Sequence, residues 1–193
     1  MIPKRMTTKE VILYVASDLF MEKGFVTTST REIAEKAGIT QPNLYHHFKT
    51  KEAIYIAVLE KLSSEVKKTL EKMVEGPFES LFERLVDILN YLREEHPANF
   101  SIMSHDMTYE ISEENHYHLY QIFQESYLAP LTKLFSGYVT EESPFTPNEL
   151  SRYFYSMIAP FIQKENKFYK EVTSEKIIYL FVYGILNNGE EGN

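Results

Sequence analysis

The chain has 193 residues, of which 44% are hydrophobic and 25% are charged, and its formal net charge is −8. These proportions are ordinary for a soluble globular protein and exclude wholesale disorder. The sequence contains no cysteine, which excludes disulfide frameworks and thiolate metal sites and agrees with a reducing compartment. Since no apolar run approaches the roughly 18 residues of a membrane span, we expect a cytoplasmic protein.

The charge is distributed unevenly along the chain. Residues 1–52 carry eight basic and six acidic side chains, so the whole negative excess lies beyond residue 52. A weakly positive end on an acidic body can be oriented toward a polyanion by its own field. The charge pattern therefore permits a nucleic-acid partner for the N-terminal segment without requiring one.

Capping residues and apolar side chains at helical spacing predict four helices in the N-terminal part of the chain. Thr7 and Glu10 fit a capping box for the first helix, and Gly24 supplies its stop. The other three are predicted from Ser29 through Ala37, over residues 41–47, and from Thr50 to Gly76.

Five further helices are predicted beyond Pro77, and strand signals are nearly absent. Pro130 and Pro160 fall inside helical patterns, so we expect kinks or breaks at these positions. The predicted fold is all-α, with about nine helices. The five C-terminal helices are predicted over residues 78–95, 97–109, 113–138, 147–170 and 174–188.

Residues 28–53 have the pattern of two short helices joined by a tight turn at Gly38, which is typical of a helix-turn-helix. Small and apolar side chains can pack against the first helix. The remaining face is rich in hydrogen-bonding groups that suit a DNA duplex. The candidate DNA-contacting residues are Thr28, Ser29, Thr30, Arg31, Thr40, Gln41, Pro42, Asn43, Tyr45, His46, Lys49 and Lys51.

Residue chemistry suggests a role for most of these side chains. Arginine can pair with guanine, glutamine or asparagine with adenine, and proline can meet a thymine methyl group. Base reading is therefore assigned to Arg31, Gln41, Pro42 and Asn43. Phosphate anchoring is assigned to Thr30, Tyr45, His46 and Lys51. Structural alternatives stay open, because Tyr45 could pack, Lys51 could be solvated and Arg31 could pair with Glu35.

Three segments occur in order and at specific spacing: Leu19-Phe20-x-x-Lys23-Gly24-Phe25, Thr28-x-Thr30-Arg31-x-Ile33-Ala34-x-x-Ala37-Gly38-Ile39 and Leu44-Tyr45-x-His47-Phe48-x-x-Lys51. With these segments, residues 7–53 resemble the DNA-binding domain of the tetracycline-repressor (TetR) family of bacterial transcriptional regulators. The resemblance implies a three-helix DNA-binding domain, a linking fourth helix and a variable regulatory domain that dimerises. We accordingly divide the chain into a DNA-binding domain, 1–52, and a ligand-sensing and dimerisation domain, 53–193.

The last predicted helix is apolar or aromatic on every side. Such a helix must be covered on every side, and a twofold mate can supply what its own subunit does not. This favours a homodimer, although a wholly intramolecular core remains the alternative. The predicted interface residues are Ser156, Ala159, Ile177, Ile178, Leu180, Phe181, Gly184 and Ile185.

Aromatic residues and methionines are concentrated on the middle helices. They suit an adaptable apolar pocket with a few polar groups, although they could equally fill a core. The expected ligand is a small molecule, lipophilic or cationic. The candidate pocket residues are Tyr91, Phe100, Met103, Met107, Tyr109, Tyr117, Tyr120, Phe123 and Tyr127.

These features predict a homodimeric repressor that binds a palindromic operator and is released from it by a small molecule. The alternative keeps the DNA-binding domain and gives the C-terminal body a protein coactivator as its partner. No segment suggests a nucleophile–base pair, an acid–base dyad, a metal site or a cofactor-binding loop. We therefore expect no enzymatic activity and no cofactor.

Overall fold

The computed structural model describes residues 6–96, 100–162 and 171–185, with only the backbone described for Phe100, Ser101, Ser104 and Ile185. Every regular element in these residues is helical and none is a strand, which confirms the predicted all-α fold. None of the described helices is long and apolar enough to cross a bilayer. The α-helices are α1 (Thr8–Thr27), α2 (Thr30–Lys36), α3 (Gln41–His47), α4 (Lys51–Glu75), α5 (Leu81–Asn90), α6 (Phe100–Tyr109), α7 (Glu113–Phe123), α8 (Ala129–Phe135), α9 (Pro147–Ile162) and α10 (Ser174–Ile185).

Two of the predicted helices are interrupted. A π-helical segment, Tyr91–Glu95, follows α5, and a second one, Gln124–Leu128, separates α7 from α8. Pro130 is the second residue of α8 and follows directly on the π-helical segment, so its missing N–H leaves one helical hydrogen bond to the preceding turn unmade. The predicted helix over 113–138 therefore changes its hydrogen-bond pattern at the π-helical segment while its backbone stays helical there, and it ends at Phe135. Pro160 lies inside α9 as expected. The predicted helical residues 97–99, 163–170 and 186–188 lie outside the described part of the chain.

The first helix begins as predicted and ends beyond its predicted stop. The backbone N–H of Thr7 donates to the Glu10 carboxylate at 2.7 Å, and the N–H of Glu10 donates to the Thr7 hydroxyl at 3.3 Å. Gly24 leaves the helical conformation, with φ of 85°, but α1 continues to Thr27. The glycine therefore marks a kink in α1, because positive φ carries little steric penalty without a Cβ.

The described helices form two compact units. The N-terminal unit contains residues 1–64 and 98–122, and the C-terminal unit contains residues 65–97 and 123–193. This grouping places α6 and most of α7 with the N-terminal helices, which a single boundary after residue 52 does not anticipate. In the N-terminal unit, α6 packs against α1, and α2 packs against both α1 and α3.

A continuous apolar core holds the N-terminal unit together. The apolar face of α1 meets buried side chains of α2, α3 and the first half of α4. Burial of one such aliphatic side chain contributes about 1.5–3 kcal/mol. Seven-residue helices are not stable alone, so α2 and α3 depend on this core. Its fully buried members include Ile12, Ala16, Phe20, Ile33, Leu44, Ile54 and Tyr55.

The C-terminal unit has its own core, in which α8 packs against α9 and α10 packs against α5. Three phenylalanine rings meet there, with Phe181 lying 5.8 Å from Phe135 and 5.4 Å from Phe154 between centroids. Buried Arg84 donates from Nη2 to the carbonyl oxygens of Gly76 and Pro77, at 2.9 and 2.6 Å. This guanidinium satisfies carbonyl groups that follow the end of α4.

Gly38 lies in the turn between α2 and α3, and its backbone conformation gives a prediction for stability. Gly38 has φ of 70° and no heavy atom within 4 Å of where a Cβ would stand. We expect Gly38→Ala to lower the free energy of unfolding by roughly 1–2 kcal/mol through backbone strain alone. Gly38→Asn should lose less, because asparagine tolerates this conformation better. Urea unfolding followed by circular dichroism measures both, and equal stability of the alanine variant and the parent would contradict the assignment.

Candidate nucleic-acid interface

The recognition surface is built around α3. The hydroxyl of Thr40 caps the helix by accepting from the N–H of Asn43 at 3.4 Å. Leu44 is fully buried beneath the helix, and Phe48 at its end is nearly so. Because one face of α3 is held in the core, its other side chains point outward. The exposed residues of α3 are Gln41, Pro42, Asn43, Tyr45, His46 and His47.

The start of α2 lies beside this helix. The hydroxyl of Ser29 accepts from the N–H of Glu32 at 3.1 Å, and the same glutamate pairs with Lys23 of α1 at 2.6 Å. These contacts fix α2 against α1. Arg31 is exposed and forms no ion pair among the described residues, so pairing with Glu35 is not observed.

Hydrogen bonds join α2 to α3 on the exposed surface. The Nε2 of Gln41 donates to Oγ1 of Thr30 at 3.1 Å. The same hydroxyl lies 3.1 Å from the phenol oxygen of Tyr45. Tyr45 is thus an exposed side chain with a polar partner and does not belong to the core. The alternative that Tyr45 packs in the core therefore does not hold.

Two predicted DNA-contacting residues are engaged elsewhere. Thr28 is only 1% exposed, and its hydroxyl donates to the carbonyl oxygens of Gly24 at 2.8 Å and Leu19 at 3.3 Å. The side chain of Thr28 is therefore buried, because its hydroxyl is hydrogen-bonded to carbonyl groups of α1. The amine of Lys51 donates to the carbonyl of Phe25 at 2.7 Å and lies 4.1 Å from the centroid of that ring.

The environment of Lys51 also affects its titration. Partial burial lowers the pKa of the Lys51 amine, and the nearby carboxylates Asp106 and Glu110 oppose that shift in part. The bond to Phe25 uses one of the three N–H donors of the ammonium group, so a phosphate contact by Lys51 would have to be made by the other two. Of the remaining predicted DNA-contacting residues, Thr30 is half-buried and the other nine are exposed. The exposed residues are Ser29, Arg31, Thr40, Gln41, Pro42, Asn43, Tyr45, His46 and Lys49.

Asp106 of α6 has a structural role that was not predicted from the sequence. Its Oδ2 accepts from the backbone N–H of Phe25 at 2.8 Å and from the Tyr55 hydroxyl at 3.2 Å. Burial, reinforced by the negative charge of Asp106, raises the pKa of the Tyr55 phenol. An acidic residue on the buried face of α6 was the available signal, since such a carboxylate needs a partner.

A second carboxylate joins α4 to the start of α7. Oε1 of Glu52 accepts from the N–H and hydroxyl of Ser112, at 2.9 and 2.7 Å, and from Nδ2 of Asn115 at 2.9 Å. Burial opposes ionisation of Glu52, but these hydrogen bonds outweigh it and hold its pKa below the ordinary value. His118 of α7 lies 2.8 Å from the Glu60 carboxylate. No cluster of three metal-binding side chains occurs among the residues that the structure describes.

Three of the predicted ligand-pocket residues in the N-terminal unit lie at its surface. Tyr109 is 73% exposed, Tyr117 is 68% exposed, and Tyr120 is also exposed. Met103 and Met107 pack against the core of this unit. The prediction is therefore wrong for these tyrosines, because α6 and α7 turn their apolar faces to the core and their tyrosines to solvent. Phe100 lies among the side chains that are not described.

The other three pocket candidates, Tyr91, Phe123 and Tyr127, lie in the C-terminal unit. Tyr127 stacks on Phe123 at 5.4 Å between centroids, and its hydroxyl lies 2.8 Å from Nε2 of buried His96. The hydroxyl of Tyr155 donates to the carbonyl of Tyr127 at 3.3 Å. Burial, with Tyr127 and then Tyr91 adding to it, raises the pKa of the Tyr155 phenol well above its ordinary value. These residues form one aromatic cluster with hydrogen-bonding groups inside it.

The last helix separates into two faces. Ile177, Ile178 and Phe181 are buried in the core of the C-terminal unit, so their predicted place in a dimer interface is wrong. Leu180 is 67% exposed, and Gly184, Ser156 and Ala159 are also exposed. The side chain of Ile185 is not described. The prediction omitted three exposed tyrosines of α9 and α10, which helical spacing could have placed opposite the buried residues: Tyr153, Tyr179 and Tyr183.

The N-terminal segment of the chain is similar to a known protein family. Residues 12–58 match the family model described as bacterial regulatory proteins, tetR family. This segment, about a quarter of the chain, is thus similar to the TetR family. The matched TetR residues cover the core of α1, all of α2 and α3, and the start of α4.

Curated relatives extend this comparison. The transcriptional activator FasR of Mycolicibacterium smegmatis is 32% identical over 107 residues, covering 55% of this chain and 45% of FasR. The transcriptional regulator QacR of Staphylococcus aureus is 43% identical over 54 residues, covering 28% of this chain and 29% of QacR. The chain thus matches less than half the length of either relative.

Solved structures resemble the chain over nearly its whole length. A transcriptional regulator of the TetR/AcrR family from Thermobifida fusca has a TM-score of 0.62 and 22% identity, covering 95% of this chain and 98% of that protein. At this identity the comparison establishes the fold. The likeness in fold therefore extends beyond the residues that match the family model.

The contacts of Asp106 give a prediction for stability. Asp106→Ala leaves the Phe25 N–H and the Tyr55 hydroxyl without their partner. We expect a loss of about 2–4 kcal/mol in the free energy of unfolding, because each unpaired buried group costs about 1–3 kcal/mol. Asp106→Asn keeps an acceptor oxygen and should lose less. Urea unfolding compares them, and an alanine variant as stable as the parent would show that these bonds contribute nothing.

Proposed function

We propose that the protein is a sequence-specific DNA-binding transcriptional regulator that acts as a homodimeric repressor and leaves its operator when a small molecule binds. The observation that carries this proposal is the outward polar face of α3, held in place by Leu44 in the core. A short helix with this exposure can enter a major groove of B-DNA.

The exposed surface has the chemistry that a duplex requires. Gln41 and Asn43 offer amides suited to base edges, while Arg31 and Lys49 supply positive charge beside them. The formal charge of residues 1–52 is +2 within a chain of net charge −8. Phosphate groups should therefore be attracted to this end of the chain.

The exposed face of α10 supports a homodimer. Tyr179 and Tyr183 lie 4.4 Å apart between ring centroids and flank exposed Leu180. An apolar groove of 480 Å³ adjoins them, lined by Phe82, Glu175, Lys176, Tyr179 and Leu180. A second copy of the chain would cover this surface, and exposed Ser156 and Ala159 on α9 would permit close approach. A twofold dimer would present two copies of α3 to successive major grooves.

The aromatic cluster of the C-terminal unit supports an effector site. Tyr91 and Tyr127 lie on the two π-helical segments, a helix form often found at functional sites. The His96–Tyr127 hydrogen bond places polar groups among the rings. The dimer would have one conformation that fits its operator and one that does not. A ligand that binds more tightly to the second conformation would lower the affinity for DNA by the ratio of its affinities for the two conformations.

DNA binding is tested with an operator selected from random duplexes. We expect Lys49→Ala to weaken binding of every sequence and to reduce the slope of log K against log salt concentration by about 1 for each protomer. Lys61→Ala removes an exposed lysine of α4 in the same unit and should leave the slope unchanged. Fluorescence anisotropy across a salt series measures both, and a parent protein that selects no sequence would overturn the proposed function.

The dimer is tested by placing a charge on α10. Leu180→Glu would bury an unpaired carboxylate in the interface. We expect the dissociation constant of the dimer to be roughly 100-fold higher than that of the parent protein. Tyr109→Glu alters an exposed aromatic residue of the N-terminal unit and serves as the matched control. Sedimentation velocity gives the dissociation constants, and an unchanged dimer in the Leu180 variant would exclude this face.

A further inference from the structure

The hydroxyl of Thr30 stands between a base-reading candidate and a phosphate-anchoring candidate. It accepts from the amide of Gln41 on one side and contacts the phenol of Tyr45 on the other, each at 3.1 Å. A hydroxyl has only one proton to donate. If Thr30 donates at one of these contacts, it must therefore accept at the other.

Three arrangements satisfy these contacts in the free protein, because the Thr30 oxygen can accept two hydrogen bonds as well as donate one. In the first, Gln41 donates to Thr30 and Thr30 donates to Tyr45. In the second, Tyr45 donates to Thr30, and Thr30 donates to the amide oxygen of Gln41 after that amide turns by half a rotation. In the third, Gln41 and Tyr45 both donate to Thr30, whose own proton is donated to solvent. Without DNA, none of the three directions is imposed.

A phosphate oxygen removes this freedom. When the Tyr45 hydroxyl donates to phosphate, its oxygen can only accept from Thr30, which must then donate to it. Thr30 in turn can only accept from the Nε2 of Gln41, which is the direction that the structure has. The N–H of Gln41 and the hydroxyls of Thr30 and Tyr45 then all donate in the direction of the phosphate. Hydrogen bonds in such a chain strengthen one another.

The fixed amide has a definite base preference. With one N–H of Nε2 turned to Thr30, Gln41 presents its amide oxygen and its second N–H outward. Adenine offers a matching N6 donor and N7 acceptor in the major groove, whereas guanine offers two acceptors, O6 and N7. The outward oxygen of Gln41 would therefore oppose O6 of guanine.

We propose that a phosphate contact by Tyr45 fixes the amide of Gln41 through Thr30, so that Gln41 reads adenine and rejects guanine. Thr30 is a positioning residue, and Tyr45 determines specificity as well as anchoring the backbone. This inference rests on the proposed function, because it requires Gln41 to face a major groove.

The experiment compares base preference with overall affinity. An operator is selected from random duplexes with the parent protein, and Gln41→Ala identifies the position at which preference depends on this side chain. The ratio of affinities for adenine and guanine at that position is then measured by competition for each variant. We expect the parent to prefer adenine by on the order of tenfold or more.

The variants separate positioning from anchoring. Thr30→Val removes the hydroxyl at nearly constant shape and should reduce the adenine preference about threefold to tenfold, the worth of one hydrogen bond. Thr30→Ser keeps the hydroxyl and should restore the preference. Tyr45→Phe should reduce the preference to a similar extent and also weaken binding of all sequences. Lys49→Ala, the matched phosphate-anchor control, should weaken all sequences equally and leave the ratio unchanged.

The outcomes are distinguishable. An unchanged ratio in both Thr30→Val and Tyr45→Phe, with the parent still bound to its operator, would overturn the inference and leave the proposed function standing. A guanine preference in the parent at the Gln41-dependent position would overturn it as well. A parent protein that binds no duplex would instead remove the proposed function. Thermal melting of each variant confirms that the fold is retained.

Discussion

The candidate interface depends on the burial of one face of two short helices. With seven residues each, α2 and α3 are too short to be stable alone. Ile33, Ala34 and Leu44 hold them in a core shared with α1 and α4. The outward direction of the polar side chains follows from what is packed beneath them. A surface fixed in this way loses little conformational entropy when it binds a partner.

Contacts between residues far apart in sequence complete the N-terminal unit. Asp106 reaches Phe25 across 81 positions, and Glu52 reaches Ser112 across 60 positions. These carboxylates are satisfied mainly by backbone N–H and hydroxyl groups, so they remain hydrogen-bonded where burial would otherwise be costly. The geometry at the end of α1 therefore depends on α6, a helix that lies outside the recognised motif.

Local signals predicted most of the fold, and long-range packing decided the rest. The capping box at Thr7 and the glycine turn at Gly38 depend on nearby residues, so the sequence alone indicated them. Burial of Thr28 was not predictable, because its hydroxyl is satisfied by carbonyl groups that α1 brings near it. The partner of Asp106 is equally remote. On α10 a continuous apolar run concealed which side faces the core, and packing against α5 determined that.

The side chains proposed to meet the bases contribute little to holding the N-terminal unit together. Gln41 and Asn43 are exposed, and among the described residues the side chain of Gln41 bonds only to Thr30. Surface replacements of this kind usually change stability by less than about 0.5 kcal/mol. Preference for one DNA sequence can therefore diverge between relatives, or be redesigned, one residue at a time on an unaltered scaffold. Leu44 differs from these residues because it is buried, so a substitution there alters the packing that supports the whole of α3.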